Sequence, residues 1–90
     1  MKAIQAARNI QLFMTDERSV NALDVAEQYI AGRATRYELE EAIKGAEEAF
    51  INGPTYYASG AAYLAAYSVT HPTYAAEAID FAHQVFNGAL

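Results

Sequence analysis

Apolar residues recur along this chain at three- and four-residue intervals, broken at a few glycine, proline and polar points. That is the signature of short amphipathic helices. The first predicted helix runs from about Lys2 to Met14, with Ile4, Ala7 or Arg8, Gln11, Ile10, Phe13 and Met14 on one largely apolar stripe and Leu12 beside it. Thr15-Asp16-Glu17 interrupts it and supplies cap oxygens and acidic groups for the next helix N-terminus. The second is predicted from Asp16 or Ser19 to Ala31, on a stripe of Val20, Leu23, Ala26 and Ile30, with Gly32 as its stop. Thr35-Arg36-Tyr37-Glu38 reads as a capping box opening a third helix that reaches about Asn52. Leu39, Ala42 or Ile43, Ala46 and Phe50 form its apolar side, and Glu40 is spaced to pair with Lys44. Gly53-Pro54 ends it. A fourth helix extends from about Thr55 to Val69 or Thr70. Pro72 then either kinks one long helix or separates two; tolerance of proline in a first turn favours a fifth helix from about Pro72 to Phe86, before Asn87-Gly88. The expected fold is all-α: one domain over residues 1–90, a compact bundle or array of about five short helices.

The fourth helix departs from the pattern. From Ala49 to Ala76 there is no Asp, Glu, Lys or Arg, although a surface helix carries charge on its wet side. Ser59, Gly60, Ser68 and the tyrosine hydroxyls are the candidates for that side. Tyr56, Tyr63 and Tyr67, spaced by seven and four, share a face with Gly60 between them, and Tyr57 flanks it. Ala58, Ala61, Ala62, Ala65 and Ala66 allow neighbouring helices close approach. Three readings stand open. The helix is the centre of the core, or it meets a second copy in a homo-oligomer, where tyrosine is enriched and charge depleted. In the third, its tyrosines line a pocket for a flat ligand.

Composition narrows the function classes. A formal charge of −5 and a pI near 4.8 argue against nucleic acid and against an anionic membrane surface, and the six basic residues are scattered. The absence of cysteine removes disulfides, thiolate metal sites and thiol catalysis, and with the opening Met1-Lys2 leads to an expected cytoplasmic location. The uncharged stretch is long enough to span a bilayer. It is too rich in tyrosine, threonine, proline and glycine to do so.

Candidate chemistry is sparse. Asp80-x-x-His83 has the spacing of half a carboxylate metal site, but the second half and further inward carboxylates are missing, so a surface pair is expected. His71 precedes Pro72 at a helix junction, where its ring can cap backbone groups; no nucleophile–base set is recognisable. No glycine run forms a phosphate loop. Neither enzymatic activity nor a metal or other cofactor is expected.

The segment Ser19 to Thr35, followed by Glu38-Leu39-Glu40-Glu41-Ala42, follows the pattern A-x-x-x-A-E-x-Y-x-x-G-x-A-T-x-x-E-L-x-x-A. It resembles the immunity-protein-5-like helical domains of polymorphic toxin systems and small phage helical proteins. The shared motif is a helix, a glycine stop and a capping box, so it carries no active-site residue across. The resemblance implies a non-catalytic binding protein of immunity or phage counter-defence type, which neutralises a host or toxin protein or sequesters a ligand. On the residues themselves, the expected site is Tyr56, Tyr57, Gly60, Tyr63, Tyr67 and His71 in a homo-oligomer. Arg33, Arg36 or Lys44 would meet the anionic group of a small nucleotide-like ligand. The alternative is a protein-only module whose acidic third helix inhibits a basic enzyme.

Overall fold

The structure, a computed structural model, describes residues 2–89. Five α-helices follow one another: α1 (Lys2–Asn9), α2 (Glu17–Ile30), α3 (Arg36–Asn52), α4 (Tyr56–Tyr67) and α5 (Ala75–Phe86). Short 3-10 turns at Gln11–Phe13 and Pro72–Tyr74 precede α2 and α5. No strand occurs among the described residues, and the fold is a small all-α bundle.

Local signals account for most boundaries. Asp16 caps α2 by accepting the backbone N–H of Arg18 at 2.9 Å. At α3 both halves of the capping box form: Glu38 N–H donates to Thr35 Oγ1 at 3.1 Å, and Thr35 N–H donates to Glu38 Oε1 at 2.8 Å. Gly32 stops α2 with φ +77, a conformation that needs no Cβ. The first helix is shorter than its periodicity predicts. It ends at Asn9, and the tighter turn after it buries Ile10 and Met14 while turning Leu12, 98% exposed, and Phe13 outward. Ile30, expected inward, is also exposed, and at the end of α5 it is Val85 that is buried while Phe86 is exposed. Glu40 does not pair with Lys44: it takes Arg36 at 3.5 Å, and Lys44 takes Glu41 at 3.7 Å.

α4 is the central helix and packs against the other four. Ser59, Gly60 and Ser68, expected on its wet side, are buried. Their polar groups are satisfied internally: the Thr55 and Ser59 hydroxyls bond each other at 3.0 Å, and Ser68 Oγ donates to the Ala65 carbonyl at 2.7 Å. Burial therefore explains why α4 itself has no charge, since an ion at its core would be strongly disfavoured. Alanine outnumbers all other buried apolar residues together, which brings helix backbones close. The radius of gyration, 11.4 Å, is slightly below the roughly 12 Å expected for this length. One orphan remains: Ser19 Oγ is buried without a partner at the start of α2.

Charged groups tie the outer helices. Arg8 of α1 donates to Asp24 at 2.7 Å and to Glu27, both on α2, and to Gln11 at 2.7 Å. Arg18 holds Asp16 at 2.8 Å and reaches Glu48 of α3 at 3.3 Å. No helix among the described residues is long and apolar enough to cross a membrane.

Candidate binding surface

The Gly53-Pro54 turn folds α4 back against α3, so Phe50, near the end of one, meets Tyr56 at the start of the other, with ring centroids 4.8 Å apart. Phe81 of α5 reaches the same corner, 5.9 Å from Phe50, 5.6 Å from Tyr56 and 5.4 Å from Tyr57. Gly60 lies beneath these rings: a Cβ there would stand 2.4 Å from Phe81 Cδ2 and 2.9 Å from Phe50 Cε1. Its role is close packing rather than ligand approach.

From that corner a row of nearly parallel rings runs along α4. Phe50 stacks on Tyr63 at 5.7 Å, Tyr63 on Tyr67 at 5.7 Å, and Tyr67 on Tyr74 at 4.8 Å. His71 leans on Tyr67 at 4.3 Å. Offset stacking of this kind is the preferred aromatic geometry and fixes each ring by its neighbours. The ring faces are covered by one another, and most of the row is half-buried, with Tyr56 51% exposed. Among the described residues no enclosed pocket forms.

Glu47 borders the row. Tyr63 donates its hydroxyl to Glu47 Oε2 at 3.3 Å. Burial, then the Glu47 charge and hydrogen bond, then the neighbouring Tyr67 and Tyr74, push the Tyr63 phenol up to about 12.

The structure packs Tyr56 and Tyr57 with Phe81 over Gly60, and brings Tyr63, Tyr67 and His71 into the ring row. His71 does not cap backbone; its Nδ1 lies 3.0 Å from Thr70 Oγ1 and its ring packs on Tyr67. Arg33 and Arg36 are not gathered there. Arg36 opens α3 about 21 Å along its axis from Phe50 and pairs with Glu40, and Arg33 lies in the connection before it. Asp80 and His83 are both exposed, yet no ion pair joins them among the described residues. On α3 four of the five glutamates are already engaged: Glu38 in the cap, Glu40 with Arg36, Glu41 with Lys44 and Glu48 with Arg18.

Sequence reasoning missed Phe50, Tyr74, Phe81 and Glu47. Tyr74 follows Tyr67 by seven, continuing the seven-and-four spacing, but the break at Pro72 hid the continuity. Phe50 and Phe81 join through helix packing, for which no local signal exists.

Burial accounts for the uncharged interior of α4 but not for its flanks. Ile51, Asn52, Pro54, Tyr56, His71, Pro72, Thr73 and Ala76 are all exposed and all uncharged. Together with the ring row they make a charge-free strip on an otherwise acidic surface. Compared with protein-family models, curated proteins and solved structures, the chain has no significant match.

Proposed function

We propose that this chain is a non-catalytic binding protein that neutralises a target protein by covering it with the aromatic strip. The observation that carries the reading is that the exposed positions between Ile51 and Ala76, at the two ends of α4, are all uncharged and flank the stacked rings of Phe50, Tyr63, Tyr67 and Tyr74. Interface centres are depleted in charge and enriched in tyrosine and phenylalanine. Rings locked by stacking lose little conformational freedom on binding, which favours affinity. A small ligand needs concavity, and no pocket forms along the row among the described residues, which favours a protein surface. The resemblance of the Ser19–Ala42 segment to immunity-type helical domains points the same way, toward neutralising a toxin or host-defence protein. The engaged glutamates of α3 make the acidic helix a weaker docking face than the strip.

The test is retention of a host or toxin protein by the immobilised chain, followed by binding with both components purified. Tyr56→Ser and His71→Ser alter exposed positions toward the two ends of the strip, and Gln28→Ser, on α2, serves as the control. Both strip variants should lose the partner while staying helical by circular dichroism, with Tyr56→Ser melting lower because its ring packs on Phe50, Tyr57 and Phe81. Equal retention by all three variants sinks the reading.

A further inference from the structure

The strip is uncharged, but its border is not. Glu47 lies against Tyr63, and its only bond among the described residues is the long one from the Tyr63 hydroxyl, 3.3 Å. The other four glutamates of α3 have a cap or a cation; Glu47 has neither. Within one turn along α3 the sole cation is Lys44, and Glu41 holds it at 3.7 Å. Any protein that covers the strip removes water from the rim where this carboxylate sits. A carboxylate left unpaired on desolvation is strongly unfavourable. The covering surface must therefore bring a counter-charge.

From this we infer that the partner docks a guanidinium or ammonium side chain on Glu47, beside the Tyr63 hydroxyl. The inference rests on the strip being the binding surface, as proposed above. It also decides between occupants. A second copy offers the same strip, whose exposed residues carry no cation, so a symmetric pair would bring two unpaired Glu47 carboxylates to one interface. A basic protein surface supplies what is missing, and the chain's charge of −5 draws it in from a distance. Arginine suits the position best, since its planar fork can hold both carboxylate oxygens and lie along an aromatic edge.

The probe is a capped hexa-arginine peptide, titrated into the full chain and followed by backbone and tyrosine-ring NMR signals, with hexa-citrulline as the neutral isostere. The arginine peptide should shift Glu47, Tyr63 and Tyr67 first, and the citrulline peptide should not. Glu47→Gln should weaken binding about tenfold, the loss of one charge-assisted contact. Glu17→Gln, an exposed acid on α2, should leave it unchanged. Equal weakening by both variants would mean diffuse attraction to an acidic protein and overturns the inference. So does a two-chain mass at micromolar concentration that drops to one chain in Tyr56→Ser, which assigns the strip to a second copy. If Tyr56→Ser and His71→Ser abolish retention of the purified partner but Glu47→Gln does not, the docking surface stands and the counter-charge falls.

Discussion

At the scale of single residues, the two internal helix glycines do opposite things. A Cβ at Gly45 would meet the Arg18 side chain at 3.7 Å, an ordinary contact, so Gly45→Ala should recover helix propensity and stabilise the fold by about 0.5–1 kcal/mol. At Gly60 the same change places a methyl group 2.4 Å from a Phe81 ring that Phe50, Tyr56 and Tyr57 hold in place. Overpacking of this kind costs about 1–3 kcal/mol and outweighs the propensity gain. Thermal melts should therefore rise for Gly45→Ala and fall for Gly60→Ala. The same pair separates two meanings of glycine that look alike in a sequence.

At the scale of elements, capping chemistry was the most legible part of the chain. The Thr35–Glu38 box, the Gly32 stop and the Pro72 restart all act through bonds or clashes within a few residues, so their spacing reveals them. The short α1 was not legible. Its periodicity runs on to Met14, and only packing of Ile10 and Met14 against the rest of the core decides that the chain tightens after Asn9. Arg8 was hidden for the same reason: in sequence it falls on the apolar stripe, and its partners lie 16 and 19 residues away. It anchors a helix of only eight residues, too short to persist alone. Arg8→Ala should destabilise the protein by roughly 1–2 kcal/mol, because Asp24 and Glu27 lose their shared counter-ion. Amide exchange should show the loss first in α1. A uniform loss of protection across all five helices would contradict this account of the contact. For the binding surface, the tyrosine face of α4 was readable from its spacing. Its completion by Phe50, Phe81 and Tyr74 was not, since three separate elements converge there.

At the scale of the molecule, the titrating groups set a broad window of stability. The Arg18 hydrogen bonds hold the Asp16 carboxyl down at about 2, below its ordinary 3.8. Its contribution is complete above the ordinary value and fades as pH falls through about 2. Tyr63 bounds the alkaline side. Its neutral phenol is favoured in the fold up to about 12 rather than 10, so that contribution is complete below pH 10 and fades as pH rises toward 12. Ultraviolet titration should show a phenol ionising near pH 12, and Glu47→Gln should lower that value. A titration complete well below pH 12 would remove the raised Tyr63 phenol from this account.

The row of stacked rings has an optical consequence. The chain has no tryptophan, so its near-ultraviolet absorption and emission belong almost wholly to tyrosine. Tyr63, Tyr67 and Tyr74 have centroids only 5.7 and 4.8 Å apart in sequence along the row. At such spacings excited states are shared between neighbouring rings, and their circular dichroism depends on the angle between them. A molecule settling on the strip changes that angle or the polarity around the hydroxyls. The protein thus carries its own unlabelled dye, placed where its partner is proposed to land.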